Sequence, residues 1–404
     1  MLAAAANADE PAAKPVDPPV AKESVESELT PLSEEGQRLA DELKEKLSEG
    51  TEARAMLDAL LAGSELGSED GWFPTAIAQT RFTWDALAAK YDSDHDGKIV
   101  RGEFPGPDDE FKRLDRDHSE AINKEDLEWK EDALFRSPLT DLFFRTDADS
   151  NGAVTREEFA AVFDRLDREG LGELSLDDLK LAVSPPPGGP SPDDPTREML
   201  LRAFSKQELG AFNPGPSVGD KAIDFTLKTA DNLQDIRLSE QYREKPLVLV
   251  FGNFTCGPFR AHSGNAERVY RLYHDRANFL MVYVREAHPK EGWKLRMNTR
   301  YEIEIPQPAT QEERVLVAQR CQKHIAAPWP MVVDRLDDEV GKAYSGMPSR
   351  LYLIDTDGTV VYKSGRGPFG FKPAELEQSL VWLLTEKMAT PVSENPAAKE
   401  NAAQ

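Results

Sequence analysis

Residues 250–260 read VFGNFTCGPFR, and Cys256 is the one side chain in that stretch fit to act as a nucleophile. It follows an apolar run and precedes Gly257-Pro258, a strand-to-helix junction at which free N–H groups and the helix dipole are expected to favour the thiolate. A dithiol exchanger would carry a second cysteine three residues on, where this chain has Phe259. The site is therefore expected to work with one thiol. Its reset must come from Cys321, the only other cysteine and a candidate resolving thiol, or from an external thiol.

A second chemistry lies upstream. DSDHDGKIVRGE, residues 92–103, places Asp92, Asp94 and Asp96 at alternate positions, Gly97 at the sixth and Glu103 at the twelfth. Calcium takes six to eight hard oxygens. Carboxylates at this spacing, the Lys98 carbonyl and a bidentate closing glutamate supply them, while the glycine permits the sharp turn. DADSNGAVTREE, residues 147–158, repeats the pattern with Asp147, Asp149, Asn151, the Ala153 carbonyl and Glu158. Two weaker copies follow the strong ones. DRDHSEAINKED offers Asp115, Asp117, Ser119 and Asp126 but has Glu120 for the glycine; DREGLGELSLDD offers Asp167, Glu169 and Asp178 but has Leu171 at the fifth position. Ile99 is expected to pair with its counterpart across a short β-bridge. The set resembles a four-loop EF-hand protein over about residues 82–183. DTDG at 355–358 shares the letters, but its β-rich flanks make it a hairpin turn.

The elements that position these groups divide the chain in two. Residues 1–30, rich in Ala, Pro and Glu, are expected to be disordered. Leu39, Leu43 and Leu47, then Leu57, Leu60 and Leu61, recur at helical spacing and open a helical region over 31–183. SPPPGGPSPDDP marks a linker, 184–197, and suggests loosely coupled halves. Beyond it, PLVLVFGNF and NFLMVYV flank a helical stretch in the β-α-β pattern of a parallel sheet, over 198–387. Residues 388–404 form a second Ala- and Glu-rich tail.

The 404-residue chain carries a formal charge of -24, which excludes nucleic acid as a partner and suits divalent cations. No apolar run reaches the roughly 18 residues of a membrane span. The first residues lack a complete signal peptide. Two compartments stay open, export or the periplasm if a signal region has been trimmed, the cytoplasm otherwise.

PLVLVFGNFTCGPFR, FLMVYVREAHPKEGW, IPQPATQEERV, AAPWPMVVD and SRLYLIDTDGTVVYKSGRGPFGF together resemble the iodothyronine deiodinases over roughly residues 215–385. The resemblance implies a C-terminal α/β thioredoxin-like domain in which Cys256 replaces selenocysteine; with the acidic loops upstream the chain is expected to be multi-domain, an N-terminal all-α EF-hand domain preceding it. The resemblance also implies Glu286 and His288 as active-site residues and Arg350 as a contact for the substrate's amino-acid end. It further implies an iodinated aromatic substrate, a thiol or thioredoxin-like reductant, a homodimer through the second domain and a cis Met347-Pro348 bond. The chain departs from the family at Phe254, Pro308 and Ser349, where a cysteine, a histidine and a glutamate are expected. The residues alone leave two other readings open, a one-cysteine peroxidase or thiol-disulfide oxidoreductase, and a calcium-binding interaction protein on a redox scaffold.

Overall fold

The computed structural model describes residues 29–64, 77–129, 138–168, 170–183, 195–231 and 233–389. Residues 1–28, 184–194 of the linker and 390–404 of the tail lie outside these residues, as does Glu169.

Two helices open the described chain where the leucine spacing predicts them. In α1 (Glu34–Lys46) the Ser33 side chain accepts from the Gly36 N–H, and in α2 (Glu52–Leu61) Thr51 does the same for Arg54. β1 (Gln79–Thr80) and α3 (Trp84–Tyr91) lead into the acidic turns. Around those turns lie β2 (Ile99–Val100), α4 (Asp108–Leu114), β3 (Ala121–Ile122), α5 (Lys124–Leu127), α6 (Pro138–Thr146), α7 (Arg156–Leu166) and α8 (Leu176–Val183). β2 and β3 pair with Ile99 opposite Ile122, the bridge expected from the loop pattern. Three short strands therefore correct the all-α expectation for this half.

After α9 (Arg197–Ser205), β4 (Thr226–Lys228) and β5 (Asp235–Arg237) form a small hairpin, and α10 (Leu238–Gln241) leads into β6 (Leu247–Gly252). Next come α11 (Gly257–Ala261), α12 (Ser263–Tyr273), β7 (Asn278–Tyr283), α13 (Arg296–Arg300), α14 (Gln311–His324), β8 (Met331–Val333) and α15 (Glu339–Ala343). The hairpin of β9 (Arg350–Ile354) and β10 (Val360–Lys363) and the long α16 (Pro373–Ala389) complete the unit. The sheet runs β1-β10-β9-β6-β7-β8. β6, β7 and β8 are parallel, β9 runs antiparallel beside β6, and β10 runs antiparallel beside β9. A β-α-β unit followed by β-β-α around a central β6 is a thioredoxin-like fold.

β6 is apolar throughout because both of its faces are covered. Val248 and Val250 enter one apolar cluster, while Leu247, Leu249 and Phe251 enter the other, the period of two expected of a strand. At the β9–β10 turn Gly358 has φ +84°, and Asp357 accepts from the Thr359 N–H and from Lys221. This is the hairpin turn the sequence predicts.

The two halves are not loosely coupled. Tyr91 stacks on Trp382 of α16 with centroids 5.4 Å apart, Phe104 meets the same ring edge-on at 5.5 Å, and β1 extends the sheet at β10. Residues upstream of the linker thus cover the apolar face of α16, which corrects the expectation drawn from the prolines. α9 packs with α1 and α2, where Leu43, Leu57, Leu60, Leu200 and Phe204 share a cluster. Among the described residues no helix is long and apolar enough to cross a membrane.

Candidate functional site

Asn253, Phe254 and Thr255 carry the chain from the end of β6 to Cys256, the N-cap of α11. The buried Asn253 side chain organises the turn. Its Oδ1 accepts from the Cys256 N–H at 3.0 Å, the Ala287 N–H at 3.2 Å and Thr255 Oγ1 at 3.2 Å, and its Nδ2 donates to the Pro348 carbonyl at 2.9 Å. Met347-Pro348 is cis, as expected, and so is Gly367-Pro368. Cys256 lines a cavity of about 50 Å³ with Met56, His288, Trp293, Pro348 and Pro368. Its exposure is 1%, and burial pushes the thiol up to about 11 against the opposing pull of the Phe259 N–H and the Arg260 charge. The expected thiolate is therefore a neutral thiol in this closed pocket, because desolvation outweighs the N-terminus of a five-residue helix.

His288 sits in the same cavity. Its backbone N–H donates to Thr255 Oγ1 at 3.0 Å, its ring packs against Trp293, and Nδ1 lies 3.1 Å from the Trp293 carbonyl. A carbonyl only accepts, so Nδ1 carries the proton and Nε2 keeps a free lone pair. Burial pushes the imidazole down to about 4, so it is neutral at ordinary pH. Glu286 is buried beneath the cysteine turn and is absent from the cavity lining; its carboxylate accepts from the Thr255 N–H at 2.9 Å and from the Tyr283 hydroxyl. Burial raises its pKa. It positions Thr255 and does not face the cavity.

Cys321 is a free, buried thiol of α14 and does not line the cavity, so the structure does not present it as a resolving partner for Cys256. Arg350, the expected substrate contact, is 1% exposed at the start of β9, and its Nη2 donates to both oxygens of Glu52 at 2.9 Å. The chain's own carboxylate stands where a ligand's was expected.

Sequence reading missed Asn253, although it lies three residues before Cys256. It also missed Arg260, fully buried, which donates to the Phe254 carbonyl, to Asn298 Oδ1 at 2.7 Å and to Ser150 Oγ at 3.3 Å. Arg366, set between glycines in SGRGPFGF, carried a signal in its isolation, but its partner Glu52 lies far away in sequence.

Three of the four acidic turns gather carboxylates. Oxygens of Asp92, Asp94 and Glu103, of Asp115, Asp117 and Asp126, and of Asp147, Asp149 and Glu158 lie within 4.8 Å of one another in each set. The turns share one backbone form, with positive φ at the fourth and sixth positions: His95 and Gly97, His118 and Glu120, Ser150 and Gly152, Gly170 and Gly172. Glu120 adopts φ +67°, so the copy lacking glycine keeps the turn. Asp96 and Asn151 each accept from the N–H two residues on, at 2.9 Å, and Ser119 Oγ donates to the Ala121 carbonyl. The Lys98 and Ala153 amides are those two donors. Burial and the neighbouring Asp149 charge push Asp147 up to about 6. In the fourth turn Asp167 accepts from the Leu171 and Gly172 amides and Asp178 accepts from the Ser175 N–H, but Leu171 is 71% exposed and supplies no side-chain oxygen. Among the described residues no cluster forms there.

The iodothyronine deiodinase family model matches residues 197–383. The chain is 33% identical over 207 residues to a thyroxine 5-deiodinase of Gallus gallus, covering 48% of this chain and 77% of that one. It is 37% identical over 204 residues to a thyroxine 5-deiodinase of Homo sapiens, covering 48% and 64%. Among solved structures, the thioredoxin domain of a thiol-disulfide oxidoreductase from Bacteroides vulgatus aligns over 44% of this chain and all of that one, at 15% identity and a TM-score of 0.29. That likeness is slight, and the fold rests on the strand order above.

Proposed function

Because the chain belongs to the iodothyronine deiodinase family and is by that membership an oxidoreductase, we propose that it removes iodine reductively from iodinated phenolic compounds of the iodothyronine kind, with Cys256 as nucleophile. The observation that carries this reading is a single thiol in an apolar cavity beside a neutral imidazole, with no second cysteine in the lining. His288 Nε2 accepts the Cys256 proton as the sulfur attacks iodine. The C–I bond breaks, an S–I bond forms, and the ring carbon takes the proton back from His288. One external thiol then displaces iodide from the sulfenyl iodide and gives a mixed disulfide; a second frees Cys256 and leaves as the disulfide. The reductant is a small thiol or a thioredoxin-like protein. Names of the relatives support an iodothyronine-like substrate, since they are called thyroxine 5-deiodinases.

Calcium belongs to the same proposal. Asp92, Asp94, Asp96 and Glu103 with the Lys98 carbonyl, and Asp147, Asp149, Asn151 and Glu158 with the Ala153 carbonyl, would hold it. An all-oxygen donor set with clustered negative charge fits a hard divalent cation better than a thiophilic one. When bound, calcium supplies the positive charge that these carboxylates lack.

The test is iodide release from iodothyronines and iodotyrosines with dithiothreitol. Release is expected from the intact chain and not from Cys256→Ser; equal release from both would sink the proposal.

A further inference from the structure

Helix α2 reaches two places at once, a group of buried cations and the thiol cavity. Glu52, its first residue, accepts from Arg350 through both oxygens at 2.9 Å and from Arg366 at 3.2 Å. One turn later Met56 lines the cavity of Cys256. Arg350 and Arg366 are buried, and Arg350 Nε and Arg366 Nη1 have no hydrogen-bond partner among the described residues. Lys363 stands beside them, donating to the Pro214 carbonyl at 2.7 Å, and burial together with the Arg350 charge pushes it down to about 8. Three cations therefore surround one carboxylate. Burial alone would raise the Glu52 pKa, but the two guanidinium charges overcome it and hold the group at about 2.

This cage joins the thiol cavity by very short segments. Met347 and Pro348 precede Arg350, Gly367 and Pro368 follow Arg366, and all four line the cavity. On its other side a 740 Å³ cavity, lined by Glu52, Arg350 and Lys363, opens beside the cage. The 50 Å³ around Cys256 has room for water but not for an iodinated ring while Met56 is in place. α2 also packs on α1 and α9, its Met56, Leu57 and Leu60 sharing an apolar cluster with Leu43, Leu200 and Phe204.

We propose that α2 is an internal competitor for the substrate: Glu52 fills the Arg350–Arg366–Lys363 cage in place of the carboxylate of an aromatic acid, Met56 closes the thiol cavity, and both withdraw as that acid enters. Glu52 and Met56 lie four residues apart, about 6 Å along the helix, so the fitting ligand carries its carboxylate on a short tether from the ring. The nature of the ring rests on the deiodinase reading. The carboxylate cage and its occupation by α2 do not.

The test compares alkylation of Cys256, located by peptide mapping in the intact chain, by anionic iodoacetate and by neutral iodoacetamide. It also compares binding of 3-(4-hydroxyphenyl)propionate with that of its amide. In Glu52→Gln, alkylation by iodoacetate is expected to rise about 10-fold, more than that by iodoacetamide, and the carboxylate to bind about 10-fold tighter with the amide unchanged. Met56→Ala, which leaves the cage alone, is expected to speed both reagents alike without changing carboxylate binding. The proposal is overturned by unchanged rates in either variant, by equal acceleration of the two reagents in Glu52→Gln, or by Cys321 becoming reactive alongside Cys256. None of these readouts depends on deiodination of an aromatic, so this proposal and the proposed activity fail separately.

Discussion

Gly152 and Arg260 meet backbone to backbone: a Cβ on Gly152 would lie 2.0 Å from the Arg260 carbonyl oxygen and 2.3 Å from Ser263 Oγ. The acidic turn 147–158 is thereby docked on the helix that starts at Cys256. Arg260 and His324 reinforce the contact through Ser150, the latter at 3.1 Å from the Ser150 carbonyl.

Two glycine variants isolate this docking. Gly97 and Gly152 occupy the same place in their turns, with φ of +85° and +88°, but nothing among the described residues lies within 4 Å of a Cβ on Gly97. Gly97→Ala is expected to cost about 1 kcal/mol, the left-handed penalty alone. Gly152→Ala adds a collision with backbone and is expected to cost more than about 3 kcal/mol. Equal shifts in urea unfolding would show that the contact is absent in solution.

Asn253 joins the cysteine turn to the cis-proline turn by four hydrogen bonds. Asn253→Ala leaves the Cys256 amide and the Pro348 carbonyl buried and unpaired, which should lower stability by about 2–3 kcal/mol. Asn253→Asp keeps the acceptor but turns a carboxylate oxygen toward the Pro348 carbonyl. It should fall below Asn253→Gln in both melting temperature and iodide release, and a neutral outcome would remove Asn253 from this role.

Proton linkage of the site has a definite sign on each side of neutrality. The folded chain keeps the Cys256 proton to about 11, whereas a free thiol loses it near 9.0, so this group lowers stability as pH rises through that window. Alkylation of Cys256 should still climb above pH 9. His288 remains neutral in the folded chain to about 4, while the unfolded chain takes up its proton near 6.5. Stability should therefore fall as pH drops from 6.5 toward 4, and His288→Gln should flatten that slope in urea midpoints.

The calcium proposal is open to titration. Calorimetry on a chelator-stripped chain should show one strong site lost in Glu103→Gln and another in Glu158→Gln, because each removes a closing carboxylate. Asp126→Asn should affect only a weaker event. Heats identical to the parent in both glutamate variants would end the proposal.

Much of the site was legible because its signals are local. The turns at 92–103 and 147–158 follow from the spacing of short polar side chains, and even the copy with Glu120 folds alike because Asp115 accepts from the amides of Ser119 and Glu120. The strand-to-helix junction at Cys256 and the β9–β10 turn were legible for the same reason. Glu286 and Arg350 were harder. Their residue types suit ligand contact, but type does not reveal whether a carboxylate faces a cavity or a buried amide.

The elements, the single-thiol junction and the oxygen-rich turns each arise from residues within about a dozen positions of one another, and so are set by local order along the chain. Long-range packing sets the rest: the thiol keeps its proton, the acidic turns share a core with the central sheet, and Arg350 is already paired. Glu52 and Arg350 are separated by 298 positions. Charge state and pairing depend on which groups burial brings together, and burial is a property of the folded whole.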